Sequence, residues 1–417
     1  MIARRWLRII PVALIMYTIS YVDRTNLNLA LTPKISTMMT DLAMNDQMKG
    51  QAYGIFFFGY LLLQIPGGYW ASRWSARKVI SLCLTGWGVC AVGCGLAQTF
   101  RQFEVARFLL GVTESGVFPA MLVLLANWFP RSERARANAY WNLCQPLAVV
   151  ASALLTGALL GHYGWRTVIV LEGLLPFVWL PIWWWCIRDR PQEAKWISAE
   201  ERDYLERTLR EEAAALEPAP GLSFRKRFCQ PAVLVMIAIN FLHNALAYGC
   251  MPFFTSRLEG RGFSAMENGM LFAFPFTITA VLMVLVSRHS DKVNERRMHV
   301  ALTYVVSGVS LIVSVSLRNH FWWSYGFLCL SIPGPSVALA PFWAIPSETL
   351  PRSTRGAVMG LVNACGNLGG FVGPAVVGWL KTKSGSLELP FDGLGLGILI
   401  AAGLAFWLPK ATPAQRG

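Results

Sequence analysis

The chain has 417 residues, 54% of them hydrophobic and 14% charged, with a formal net charge of +14. A soluble domain carries about a quarter charged residues, so this composition excludes an ordinary aqueous globule and places the chain among polytopic membrane proteins. Lys and Arg are not gathered into one face or tail, as nucleic-acid binding requires; they sit in short clusters between apolar segments, and no nucleic-acid partner is expected.

Apolar windows long enough to cross a bilayer, about 20 residues each, fall at 7–30, 52–71, 79–98, 102–125, 138–160, 166–187, 229–254, 267–287, 298–317, 322–345, 356–380 and 389–409. The fold expected is therefore all-α, with twelve transmembrane helices. Trp6 to Leu31 is too long for a signal core and carries Asp23 and Arg24, so no cleavable signal is expected. Basic residues concentrate before span one (Arg4, Arg5, Arg8) and after spans two (Arg73, Arg77, Lys78), four (Arg131, Arg134, Arg136), eight (Arg288, Lys292, Arg296, Arg297) and ten (Arg352, Arg355). By the excess of positive charge on cytoplasmic loops, both termini are expected in the cytoplasm of an inner-membrane or plasma-membrane protein.

The long connection from Arg188 to Phe228 divides the spans six and six, giving an N-terminal half at 1–187, a linker at 188–228 and a C-terminal half at 229–417. Ser198-Ala199-Glu200-Glu201 has capping-box spacing and is expected to open a charged helix running to about Leu216. Pro130-Arg131-Ser132-Glu133-Arg134 after span four returns as Pro351-Arg352-Ser353-Thr354-Arg355 after span ten, and the basic loop after span two has its counterpart after span eight. Corresponding loops at a fixed shift mean two homologous halves.

The charges inside the spans carry the functional signal. Arg107 and Glu114 are the only charges from Val105 to Leu125, and a charge at the bilayer centre costs about 2.5–3.5 kcal/mol even on lenient scales. Seven residues are nearly two turns, so one face of span four carries a cation above an acid, roughly 10.5 Å apart. Asp23 in span one and Arg107 lie at similar depth, which makes an ion pair between them the expectation, with Glu104 a rival partner one turn from Arg107. Protonating Asp23 would release Arg107. Glu114 has no basic neighbour within a turn, and desolvation favours its protonated form. Asp23 and Glu114 are thus the expected proton-coupling groups, and Arg24, whose guanidinium can make two parallel hydrogen bonds to a carboxylate, is the expected substrate anchor beside Arg107.

Twelve spans, a cytoplasmic mid-loop and basic loops after spans two and eight resemble the major facilitator superfamily. Tyr21-Val22-Asp23-Arg24-Thr25-Asn26 resembles the Y-x-D-R-x-N signature of its anion:cation symporter family, and Arg107 to Glu114 that family's R-x-x-x-G-x-x-E. Gly111 to Tyr140 and Ser287 to Arg297 look closest to permeases for 4-hydroxyphenylacetate, tartrate and related carboxylates. The superfamily's loop after span two usually reads G-x-x-x-D-R-x-G-x-R-K; here Gly68, Ser72, Arg73, Ser75, Arg77 and Lys78 stand in those places, so the acid is missing, while Asp291 keeps it after span eight. Arg73, Arg77, Asp291 and Arg296 are the gate-loop residues this implies.

The resemblance adds Tyr21, Gln145, Trp343 and Asn363 as pocket positions. Asn240, His243, Asn244 and Tyr248 recur at three and four residues in span seven, a polar stripe that lines a cavity in the same reading. Gly111, Gly116, Gly366, Gly369, Gly370 and Gly373 are scaffold, permitting close helix approach. Nine cysteines lack metal-ligand spacing and read as small apolar residues. No catalytic motif appears, so neither an enzyme nor a cofactor is expected.

The function expected is proton-coupled symport of a small organic carboxylate anion by alternating access, by a monomer in the lipid bilayer. A proton-driven exporter of a metabolite or drug is the alternative, and a passive anion channel or membrane-embedded enzyme the remote ones. The sequence leaves open an aromatic acid against a sugar acid or tartrate, and whether His243 joins in proton transfer.

Overall fold

The computed structural model describes residues 4–142, 144–214, 230–254, 258, 262–293, 295–349 and 352–409. Among them eleven helices are long and apolar enough to cross a membrane. One, Asp46–Leu96, has 51 residues, more than twice the roughly 20 a span needs. It is divided by a break after Tyr60 and by a π-helical turn at Ala71–Ser75, so it supplies the second and third of twelve spans.

The helices are α1 (Arg4–Thr25), α2 (Leu27–Ala30), α3 (Met38–Asp41), α4 (Asp46–Tyr60), α5 (Gln64–Trp70), α6 (Ala76–Leu96), α7 (Phe100–Glu114), α8 (Val117–Trp128), α9 (Arg131–Asn142), α10 (Cys144–Leu160), α11 (Trp165–Gly173) and α12 (Leu175–Cys186). A charged helix α13 (Ala199–Ala214) follows. Then come α14 (Pro231–Phe254), α15 (Ala265–Val293), α16 (Arg297–Ser316), α17 (Phe321–Ser331), α18 (Pro333–Thr349), α19 (Arg352–Ser384) and α20 (Glu388–Ala405). Apolar side chains cover both the buried and the outward faces, with Leu82, Val178, Leu302 and Trp407 exposed, the surface expected of helices solvated by hydrocarbon.

The chain forms two compact units. One holds the described residues up to Ala214 except Leu31–Lys34 and Ala43–Gly54; the other holds those two segments and the described residues from 230 onward. Within the first, α1 packs on α10, α6 on α7 and α11, and α5 on α8. Within the second, α14 packs on α19, α16 on α18 and α20, and α15 on α18. Span one meets five as seven meets eleven, span three meets four and six as nine meets ten and twelve, and span two meets four as eight meets ten. The loop repeat seen in the sequence is thus matched by a repeat of helix packing, which makes the fold two pseudo-symmetric six-helix halves.

Close approach requires glycine at specific points. A Cβ on Gly111 would lie 2.0 Å from the Phe56 carbonyl oxygen, and one on Gly369 would lie 2.1 Å from that of Phe241.

The charged helix is pinned to the first unit. Its Ser198 hydroxyl accepts from the Glu201 backbone N–H at 3.2 Å, as the capping-box spacing implies; the sequence reading carried this helix to Leu216, whose last two residues lie outside the described ones. The Glu201 carboxylate does not turn back on the cap. It accepts from Arg5 Nη1 at 2.5 Å, and Arg5 Nη2 donates to Glu133 at 2.8 Å, so α1, α9 and α13 meet at one buried guanidinium. A cavity of about 530 Å³ lies beside this helix, lined among others by Arg134, Arg190, Glu206, Arg210 and Glu212; the residues singled out above for substrate or proton do not line it. In the connection between the first two spans, the Trp165 indole donates to Asp41 at 2.8 Å and holds that carboxyl below the usual range.

Candidate functional site

The last turn of α1 and the turns of α7 from Arg107 to Glu114 bring together the charges that the sequence marked. Asp23, Arg24, Arg107 and Glu114 are all buried, Glu114 at 0% exposure and Arg24 at 5%. Their pairing differs from the expected one. The Arg24 guanidinium lies on Glu114: its Nε donates to Glu114 Oε1 at 2.8 Å, its Nη2 reaches the same oxygen, and the Ser20 hydroxyl donates to it as well. Arg24 and Glu114 therefore form a buried ion pair between α1 and α7. Arg24, expected as a standing anchor for a substrate carboxylate, has an internal carboxylate in that place.

Four rings enclose the Arg24 guanidinium carbon, those of Tyr21 and Tyr60 at 4.7 Å, Phe56 at 5.2 Å and Tyr17 at 5.8 Å. The face of an aromatic ring carries negative charge density, so this cage stabilises a cation withdrawn from water. Phe56 also lies 5.2 Å from the guanidinium carbon of Arg107, and so stands beside both cations.

Asp23 and Arg107 are level, as their depths implied, but the hydrogen bond between them is not the expected one. Arg107 Nη1 donates to the backbone carbonyl of Asp23 at 2.8 Å. The Asp23 carboxylate turns to α6, where the Trp87 indole donates to its Oδ2 at 2.8 Å, and its Oδ1 has no hydrogen-bond partner. Asn26 follows α1 directly, three residues after Asp23, with its backbone N–H on the Val22 carbonyl at 2.9 Å. Asp23, Asn26, Cys94, Phe103 and Arg107 line a cavity of about 10 Å³, room for roughly one water.

A third carboxyl group, passed over in the sequence reading, completes the set. Glu172 on α11 is 1% exposed. Its Oε2 accepts from Asn26 Nδ2 at 2.9 Å and its Oε1 from the Thr156 hydroxyl at 2.6 Å. The signal was available: an isolated acid within the apolar run Thr167 to Trp185 meets the same rule that marked Glu114.

The remaining predicted positions are scattered. Gln145 on α10 is half-buried and donates to Asn142 at 3.1 Å. Asn240, expected to line a cavity, is engaged in helix packing: its amide donates to the Val362 carbonyl at 3.0 Å, and a Cβ on Gly366 would lie 2.0 Å from it. Asn244 donates back to the Asn240 carbonyl at 2.8 Å, and His243 Nδ1 meets the Tyr304 hydroxyl at 3.1 Å. Tyr248, Trp343 and Asn363 are half-buried, Trp343 edge-on to Phe342 with centroids 5.2 Å apart.

Of the gate-loop residues, Arg73 is exposed, 5.5 Å from the Tyr69 ring. Arg77 lies over the Trp184 ring at 3.9 Å and donates to that residue's carbonyl. The acid missing from the loop after span two is supplied from elsewhere: Asp189 accepts from the Arg77 backbone N–H at 2.9 Å and from the Ser75 hydroxyl. Arg296 donates to Ser290 at 3.1 Å; the Asp291 side chain lies outside the described residues. Among the described residues, no group of three or more His, Cys, Asp or Glu could hold a metal ion.

Twelve spans in two repeated halves, with buried acids and arginines in the first unit, agree with comparisons of the whole chain. Residues 13–374 match the Major Facilitator Superfamily. The chain belongs to this superfamily, and it is a transporter. A putative tartrate transporter of Agrobacterium vitis is 31% identical over 99% of this chain and 95% of its own length. A quinolone resistance transporter of Acinetobacter baumannii is 28% identical over 91% of this chain and 88% of its own. Among solved structures, a bacterial homolog of the human lysosomal transporter Spinster, inward-facing and occupied, has TM-score 0.78 and 17% identity, covering 98% of this chain and 97% of that one.

Proposed function

We propose that the protein is a proton-coupled importer of small organic carboxylates of the anion:cation symporter type, working by alternating access in a cytoplasmic or plasma membrane with both termini in the cytoplasm. The observation that carries this reading is the buried Arg24–Glu114 pair. A guanidinium in a low-dielectric cage needs an anion, and Glu114 and a substrate carboxylate are chemically alternative occupants of that place. Glu114 Oε2 has no hydrogen-bond partner and is the oxygen open to a proton. When it takes one, the carboxylate becomes a neutral acid, Arg24 loses its counter-ion, and an incoming carboxylate restores the balance. Proton and anion are thereby bound together, which is symport. Release of the anion to the other side returns Arg24 to Glu114 as the proton leaves.

The similarity to a putative tartrate transporter makes hydroxylated dicarboxylates the first substrates to test. The experiment is uptake of tartrate, aldarates and aromatic acids into proteoliposomes with and without an inward proton gradient. Gradient-stimulated accumulation of at least one carboxylate, abolished by Glu114→Gln, is the expected result. The second reading, a proton-driven exporter, is favoured by the similarity to a quinolone resistance transporter. Two buried arginines are poor hosts for cationic drugs, and export of an anion would appear as efflux from preloaded vesicles stimulated by a proton gradient of opposite sign.

A further inference from the structure

The buried charges gathered around the end of α1 do not balance. Arg5, at the other end of α1, is matched by Glu133 and Glu201; the remaining buried charges of the first unit are three carboxyl groups, Asp23, Glu114 and Glu172, and two guanidinium groups, Arg24 and Arg107, one negative charge in excess if all five are ionised. Buried charge without compensation is among the most costly arrangements a protein can hold, so one acid of the three is the natural seat of a proton. Glu114 has Arg24. Asp23 has Arg107 beside it, whose Nη1 donates to its backbone carbonyl at 2.8 Å, and the Trp87 indole on its Oδ2. Glu172 has no ion pair among the described residues; its two partners are the Asn26 amide and the Thr156 hydroxyl.

Those two partners differ in what a proton can do to them. An amide N–H₂ only donates, so Asn26 keeps its bond to Oε2 in either state. A hydroxyl donates or accepts. When Oε1 binds a proton, the new O–H donates to Thr156 Oγ, and the Thr156 proton must turn to another acceptor. One is present by spacing. Ser152 lies one turn earlier on α10, is buried, and its hydroxyl has no hydrogen-bond partner; the carbonyl of residue 152 is the alternative, the usual back-bond of a helical threonine. The site can therefore take up or release one proton by turning a single hydroxyl, without exposing a charge.

We propose that Glu172 is a third proton-binding carboxyl group, joined through Asn26 to the end of α1 that carries Asp23. Glu172 is held by Asn26, just past α1, and by Thr156 of α10; Asn26 in turn shares its cavity with Asp23, Cys94 and Arg107, the one cation among them. Asp23 and Asn26 line the same cavity, which fits about one water, and Asn26 also holds Glu172. Its role in coupling rests on the proton-coupled reading above; the proton site itself does not.

Infrared difference spectroscopy of the full-length protein between acid and alkaline pH tests the site without any substrate. The wild type is expected to show carboxylic-acid carbonyl bands that Glu172→Gln diminishes by one, and Thr156→Val is expected to move that band, because one hydrogen bond to the group is lost. A Glu172→Gln spectrum that superposes on the wild type overturns the proposal. Should Glu172→Gln not fold, the Thr156→Val spectrum decides: an unmoved band overturns it and a moved one supports it. Loss of the band in a protein whose uptake ignores a proton gradient supports the site while removing the symport reading.

Discussion

The two units solve the same packing problem with different chemistry. In the first, polar groups deep in the helices are ionic: Arg24 on Glu114, Arg107 beside Asp23, and Glu172 between Asn26 and Thr156. In the second, the buried charge among the described residues is Lys49 of the segment Ala43–Gly54, and α14–α20 bury no Asp, Glu, Lys or Arg. The interior polar groups of those helices are amides, a histidine and hydroxyls: Asn240 on Val362, His243 with Tyr304, Ser307 on the Ser331 carbonyl, Ser314 with Ser324. Helix packing repeats between the units while the buried carboxyl groups do not. The repeat is thus a property of the scaffold, and among the described residues the buried acids belong to one unit.

The largest expected effect comes from breaking the ionic half. Arg24→Ala leaves Glu114 buried without its cation and should cost about 3–5 kcal/mol. Thermal unfolding is the check, with Arg24→Ala/Glu114→Gln recovering much of that loss; equal instability of single and double variants would mean that the pair is not the unit of stability. The helices α14–α20 should break by crowding instead. Gly369→Ala drives a methyl into the Phe241 carbonyl and should cost about 1–3 kcal/mol by the same unfolding assay, with no change in the pH dependence of uptake.

A smaller effect sharpens the contrast. His243→Gln loses the contact with Tyr304 and should cost about 0.5–1.5 kcal/mol while leaving proton-gradient dependence of uptake as in the wild type; a shifted pH profile would bring the second unit into proton transfer. Of similar size, Asp189→Ala removes the acceptor for the Arg77 backbone N–H and for Ser75 and should cost about 1 kcal/mol, read as a lowered unfolding temperature.

How much of this could be read from residues alone follows from which interactions are local. A span is a run of some twenty apolar residues along one chain, and windows such as 102–125 and 298–317 lie within a few residues of helices Phe100–Trp128 and Arg297–Ser316. The charged residues were marked for the same reason, since Arg24, Arg107 and Glu114 stand out in apolar sequence. Their pairing was not legible. Asp23 and Arg24 are adjacent, and a rotation of α1 by one residue decides which of them faces α7; depth alone favoured Asp23 for Arg107, whereas α1 presents Arg24 to Glu114 and turns the Asp23 carboxylate to Trp87. Asn240 shows a different limit. A buried amide in an apolar helix reads alike whether it faces a cavity or a neighbouring carbonyl, and only the nearness of α19, permitted by Gly366, reveals the bond to Val362.

The most direct test of the central claim is the ratio of proton-gradient-driven uptake to counterflow for one transported carboxylate, in wild type and Glu114→Gln. Counterflow exchanges substrate without net proton movement, so the variant should retain it while losing accumulation driven by the gradient. Accumulation in Glu114→Gln equal to that of the wild type would contradict the claim that a proton on Glu114 opens Arg24 to the substrate.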